Sequence, residues 1–265
     1  MKKGGGPDSS TLIGLGVGFG GILGGFILEG GSPAGLVGFS ALIIIVTGTL
    51  GALLVSFGIK EVMSIIPLFK DAMVFSKGPT KETVVELVSF AEKARREGLL
   101  ALEDDIEHLT DPFLQKGIRM VVDGVDPDIV RNTLENDLYL FEQRRKEEAA
   151  VFEIAGGYSP TMGIIGTVMG LVLVLSNLGG DARALGHSIA VAFIATLYGI
   201  GLANLFWLPI ANKLKLKMKK DVLEMECIMT GLQALQSGDN PALIKDRLVS
   251  YLEEGTKFDE VETPQ

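Results

Sequence analysis

Residues 154–178 read IAGGYSPTMGIIGTVMGLVLVLSNL, twenty-five positions without an Asp, Glu, Lys or Arg. About 20 mostly apolar residues let a helix cross a hydrocarbon core of about 30 Å. Three more uncharged stretches reach or approach that length: Thr11–Leu28 with 18 residues, Leu36–Ile59 with 24 and Ala184–Asn212 with 29. They come as two pairs, linked within each pair by only 7 and 5 residues. Each pair is therefore expected to form a helical hairpin. Between the pairs lies Lys60–Glu153, which carries 13 basic and 20 acidic residues. The predicted fold is all-α and integral to a membrane, with four transmembrane helices and a helical soluble domain between spans two and three. The expected organisation is a first hairpin over 1–59, the soluble domain over 60–153, a second hairpin over 154–212 and a C-terminal helical and polar tail over 213–265.

Basic residues give the orientation. Lys2, Lys3, Lys60, Lys70, Arg144, Arg145, Lys146 and the run Lys213, Lys215, Lys217, Lys219 and Lys220 fall on one side of the spans, and Arg183 stands alone on the other. Lysine and arginine flanking spans stay on the cytoplasmic side. Both termini and the insert are thus expected in the cytoplasm, with the two short links outside. Met1–Leu28 has the basic start and apolar run of a signal peptide but no A-x-A-like cleavage site, so it is expected to be a retained anchor.

The chain is 47% hydrophobic with positive mean hydropathy, yet 22% charged, because its charge is segregated. The insert is net negative by 7 and the tail by 2. A nucleic-acid binder would show a basic domain, so nucleic acid is not an expected partner. A protein with its own charged face is. Cys227 is the single cysteine, which rules out an intrachain disulfide.

The first span holds Gly14, Gly18, Gly21 and Gly25, paired at four-residue spacing, a pattern that lets helix backbones approach in lipid. Its Gly16-x-Gly18-x-x-Gly21 matches a dinucleotide fingerprint only in letters, since no strand precedes it. In the insert, Val84, Leu87, Val88 and Ala91 recur at helical spacing, as do Leu99, Leu102, Ile106 and Leu109. Pro79-Thr80, Asp111-Pro112 and Asp126-Pro127-Asp128 read as helix starts. The last insert helix is expected to run into span three, and span four to continue through Lys213–Lys220. A short helix follows Asn240-Pro241, then a polar end from Gly255.

No Asp, Glu, Lys or Arg lies inside any span. Ion-driven machines usually hold an intramembrane carboxylate, so a titrating acid must here come from another chain. His187, near the outer end of span four, is the one candidate proton carrier, and the alternative is an interfacial histidine with no role. Thr167 and Thr196 sit mid-span. A membrane threonine usually bonds its own i−4 carbonyl, and the functional alternative is an ion path or a partner's carboxylate. Pro160 and Pro209, near the inner ends of spans three and four, remove backbone bonds and permit kinks or hinges. In the insert, Arg95, Arg96, Glu103 and Asp104 form a charge cluster. Arg96 and Glu103, seven apart, are expected to share a helix face, either solvated or docking. No nucleophile–base constellation or metal-ligand spacing occurs in the sequence, so neither an enzyme, a cofactor nor a metal is expected.

Taken together these residues resemble a known family. Gly156–Leu171 (GGYSPTMGIIGTVMGL), Ala192–Gly199 (AFIATLYG), Asn204, Leu208–Leu214 (LPIANKL), the arm segment around Arg95 to Asp104, and the opening Ile13-Gly14 through Gly31 are similar to MotA/PomA flagellar stator proteins. The resemblance covers nearly the whole chain. It implies a homopentamer around a dimer of a single-span MotB/PomB partner that carries the ion-binding aspartate. It maps conformationally important prolines onto Pro160 and Pro209. It maps rotor-binding charges facing a FliG-type protein onto Arg95 and Glu103, with Arg96 and Asp104 beside them. Thr167 and Thr196 become ion-pathway candidates, for proton or for sodium. The related ExbB/TolQ motors, which energise outer-membrane processes, are the alternative, but they have three spans where four are read here.

Overall fold

The computed structural model describes residues 8–74, 78–177 and 182–252, and every regular element among them is helical. Lys2, Lys3 and the expected polar end from Gly255 lie outside the described residues. Helix α1 spans Ser9–Leu28 and is capped by Asp8, whose carboxylate accepts from the Ser10 N–H at 3.0 Å. A 3₁₀ turn over Pro33–Leu36 leads into α2, Phe39–Ser56. Gly58, at φ +99°, breaks the chain where other residues would be strained. Two short helices follow, α3 (Ile59–Met63) and α4 (Ile65–Ala72).

Helix α5 (Lys81–Glu97) starts at Thr80, which accepts from Thr83 N at 3.3 Å. It ends at Gly98, φ +89°. A 3₁₀ turn (Leu99–Leu102) and the single-turn α6 (Glu103–Ile106) follow. Asp111 caps α7 (Pro112–Val122), accepting from Phe113 and Leu114 N–H at 2.8 and 3.1 Å. Helix α8 runs unbroken for 50 residues, Pro127–Ser176, with Pro160 inside it. Helix α9 (Ala182–Leu202), a π turn (Ala203–Trp207) and α10 (Leu208–Gln236) are continuous. Helix α11, Pro241–Val249, is capped by Asn240.

The chain divides into two compact units. One comprises residues 78–144 and 216–252. Its core is the buried side of the stripes read in the sequence. Val84, Leu87 and Ala91 from α5 pack with Leu102, Ile106, Leu114, Ile118, Leu134, Ile228 and Leu232. Full burial of one such side chain contributes about 1.5–3 kcal/mol. Cys227 is buried here.

The other unit comprises residues 8–74, 145–177 and 182–215. Helix α2 turns the stripe Ala41, Ile45, Thr49 and Leu53 inward. The i, i+4 spacing puts all four on one face. Ala41 and Ile45 pack with Ile194 and Ala195, and Leu53 with Val151 and Ala155. A third cluster joins Leu68 and Ala72 of α4 to Ala149, Phe152, Ile210, Ala211 and Leu214. Helix α1 buries none of its residues. Of its spaced glycines only Gly18 meets a close neighbour, Leu205, while Gly14, Gly21 and Gly25 face open space.

Candidate functional site

A close helix approach in the membrane-spanning unit is made where α8 crosses α9. A Cβ on Gly199 would stand 2.6 Å from the Ser159 carbonyl oxygen and 3.0 Å from the Gly163 Cα. One on Gly163 would stand 2.9 Å from the Ala195 carbonyl oxygen. Gly166 and Gly170 meet the Ala195 and Ala192 methyls in the same way, at 2.8 and 2.7 Å. The helices thus touch backbone to backbone, which small residues alone allow. Ser159, fully buried, donates from Oγ to the Gly199 carbonyl at 2.9 Å and locks the crossing.

This crossing brings Thr167 and Thr196 together. Their hydroxyls are hydrogen-bonded to each other, and Thr167 Oγ1 also lies 3.0 Å from the Gly163 carbonyl and 2.9 Å from the Ala192 carbonyl. Thr167 thus makes the expected i−4 bond and, in addition, a contact across to α9. Two hydroxyl hydrogens serve the pair. With Thr167 donating to a carbonyl and Thr196 to Thr167, the Thr196 oxygen keeps lone pairs for an incoming donor or cation. Both residues are half-buried. Tyr198, on the same helix, donates from Oη to the Leu36 carbonyl at 2.5 Å and accepts from Gly38 N at 3.2 Å. Its hydroxyl ties α9 to the turn entering α2.

Pro160 is half-buried within α8, and Pro209 is exposed in the first turn of α10. Neither carries an N–H, so the carbonyls of Gly156 and Leu205 lose their helical donors. At Pro209 the chain answers with the π turn, which inserts an extra residue into the ladder. That turn aims Phe206 and Trp207 at an aromatic group: ring centroids are 5.3 Å apart for Phe69–Phe206 and 5.9 Å for Phe152–Trp207. On the inward stripe of α2, the Thr49 hydroxyl is buried without a hydrogen-bond partner. Such a group costs roughly 1–3 kcal/mol. His187 is exposed near the start of α9.

At the start of α1, Lys213 is ion-paired with Asp8 and holds its carboxyl down at about 2, with Ser10 adding a hydrogen bond. Arg145 bridges Asp71 and Glu148, each at 2.8 Å.

The charge cluster of the other unit departs from expectation. Arg96 and Glu103 do not share a helix face, because Gly98 ends α5 between them. Arg95 and Arg96 close α5, whereas Glu103 and Asp104 open α6. All four are exposed. Lys93 spans the break to Asp105 at 2.7 Å, and this bond raises the lysine's proton affinity.

The sequence model of the MotA/TolQ/ExbB proton channel family matches residues 105–227. Motility protein A of Bacillus subtilis is 38% identical over 246 residues, covering 92% of this chain and 91% of that protein. The chain belongs to the MotA/PomA family. Chemotaxis protein PomA of Vibrio alginolyticus is 36% identical, over 96% and 99% of the two chains. The MotA/PomA likeness extends to solved complexes. The Bacillus subtilis flagellar MotAB stator complex matches with a TM-score of 0.87 at 36% identity, over 96% of this chain and 100% of that one. The C. jejuni MotAB structure also gives 0.87, at 30% identity, over 94% and 97%. Four apolar helices and this membership make the chain a multi-pass protein of the inner membrane. Sequence reasoning missed the Gly163–Gly199 crossing, although Gly163, Gly166 and Gly170 at three- and four-residue spacing carried the signal.

Proposed function

We propose that this chain is the MotA-type subunit of a flagellar stator, converting proton or sodium influx into torque. The carrying observation is likeness to solved MotAB structures over nearly the full chain. The spans of this chain hold no acid, so the titrating carboxylate belongs to a MotB/PomB-type partner. In this reading five copies surround a partner dimer. The apolar outer faces meet lipid, both termini and residues 60–153 are cytoplasmic, and Thr167 and Thr196 line the ion path. Pro160 and Pro209 let the helices bend as the partner's acid changes charge. Arg95, Arg96, Glu103 and Asp104 engage a FliG-type rotor protein. Each charge crossing supplies about 2.3 kcal/mol per 100 mV, so several ions act per useful step. Four candidate spans favour the stator branch over the three-span ExbB/TolQ motors.

The test is expression with the MotB-type partner in flagellated cells lacking their own stator. Rotation should follow external sodium at fixed pH, or pH at fixed sodium. Thr196→Ala should abolish ion-dependent rotation while leaving the complex intact in detergent. No rotation from the wild-type pair, both verified in the membrane, overturns the proposal.

A further inference from the structure

The Tyr198 hydroxyl donates to the Leu36 carbonyl at 2.5 Å and accepts from the Gly38 N–H at 3.2 Å. Both partners lie where the 3₁₀ turn gives way to α2, and Gly38, the N-cap of α2, has no side chain to cap it. Backbone groups at such a break need partners within a membrane-spanning unit. Tyr198 supplies both of them from α9. The turn lies directly on that helix: a Cβ on Gly38 would stand 2.8 Å from Ile194 Cγ2 and 3.6 Å from Ile194 Cβ. Ile194 and Ala195 pack with Ala41 and Ile45, with Tyr198 and Leu202 alongside.

Thr196 stands two residues before Tyr198, about 200° away around a helix of 3.6 residues per turn. It therefore points to the far side of α9, where its hydroxyl meets that of Thr167. A rotation or slide of α9 that took the tyrosine off the turn would take Thr196 off Thr167. The face of α9 toward α8 does little to prevent this. There Ala192, Ala195 and Gly199 lie against Gly170, Gly166 and Gly163. Such small residues let the helices approach closely but present no interlocking side chains. Ser159 gives one hydrogen bond from that side, and Tyr198 gives two from the other.

We propose that Tyr198 is a positioning residue for the ion path: its hydroxyl, bonded to Leu36 and Gly38, fixes the rotation and depth of α9 at which Thr196 meets Thr167. The conformation it holds is the observed one. This rests on the stator reading, in which the two threonines line that path.

The experiment uses the full stator with its MotB-type partner in cells lacking their own. Tyr198→Phe keeps the ring and removes the hydroxyl. The half-saturating concentration of the coupling ion for rotation should rise roughly three- to tenfold, the scale of a lost net hydrogen bond. Stator number per motor should not change. Gly38→Cys with Ile194→Cys supplies a replacement tether, because Cβ atoms 3.6 Å apart suit a disulfide. The pair should cross-link in membranes under mild oxidant, and Tyr198→Phe should slow that reaction. Oxidation of the pair should return the ion dependence of Tyr198→Phe to that of the oxidised pair with Tyr198, and reduction should bring the defect back. Wild-type ion dependence in Tyr198→Phe overturns the proposal. So does an oxidised pair that leaves the defect in place, or a pair that does not cross-link beside Tyr198. Should Tyr198→Phe fail to assemble, the oxidised pair must restore assembly, and its failure to do so overturns the proposal instead. A wild-type stator that drives no rotation sinks the stator reading itself, whereas cross-linking unaffected by Tyr198→Phe sinks only this inference.

Discussion

Replacing Gly199 by alanine tests whether the α8–α9 crossing sets the threonine pair. The added Cβ would sit 2.6 Å from the Ser159 carbonyl oxygen, whereas ordinary contact begins near 3.4 Å. The nearest atoms are backbone and cannot swing aside, so the helices must part by about 0.8 Å at this level. An O–H···O bond spans about 2.5–3.0 Å, so such a displacement breaks the Ser159–Gly199 bond, now 2.9 Å, and stretches the Thr167–Thr196 contact. Overpacking of this kind costs about 1–3 kcal/mol. That outweighs the gain of up to about 1 kcal/mol from replacing a helical glycine. The melting temperature of the detergent-solubilised complex should fall by several degrees, at roughly 2–4 °C per kcal/mol, and ion-dependent rotation should be lost. Gly163→Ala should act in the same direction but less severely, its closest contact being 2.9 Å. The double variant should cost less than the sum, because one separation relieves both clashes. A Gly199→Ala complex with unchanged melting and rotation would refute the reasoning.

Reversing Arg95 or Glu103, both exposed, should weaken torque about two- to fivefold, the scale of a surface charge pair. A compensating reversal on the rotor should recover part of it, and normal torque in both single reversals would mark these charges as merely solvated. Asp8→Asn keeps the cap oxygen but removes the ion pair with Lys213. The Asp8 carboxyl is lowered from 3.8 to about 2, so its contribution is present above about pH 4 and lost as pH falls toward 2. The melting difference between Asp8→Asn and wild type should therefore close over that interval, and a difference constant with pH would exclude the ion pair as its source. A cysteine at Ser32 should react with an impermeant reagent outside cells and one at Ser89 should not, with reversed labelling overturning the orientation.

The spans are legible in the sequence because exclusion of charge over 18 or more residues is a one-dimensional property. The starts at Asp111 and Asp126 are legible because proline after an acid is a local signal, and both carboxylates accept backbone N–H groups in the structure. The break at Gly98 is not. Residues 90–105 are rich in helix formers, and periodicity runs through a single glycine, exposed and at positive φ with open space about it. Leu99 and Leu102 still face the core, but through a 3₁₀ turn. Sequence places the threonines at mid-span, yet their bond depends on how closely two helices cross, which spacing along one helix does not determine.

The positions of the prolines relative to that crossing carry a mechanical consequence. At Gly163 and Gly199 the helices meet backbone to backbone, and Ser159 bonds across them. Such a contact yields little, since packed cores switch between discrete arrangements rather than deforming continuously. One residue from Ser159, Pro160 removes a backbone bond from α8. Beyond Gly199 on the other arm of the hairpin, the π turn and Pro209 loosen the ladder in the same direction. The stiff contact lies beside the threonines, and the compliant segments lie on the opposite side of it from them. On the proposed stator reading, a charge change felt at Thr167 and Thr196 would be transmitted across the crossing to the proline side, where both helices have already given up hydrogen bonds that would resist bending.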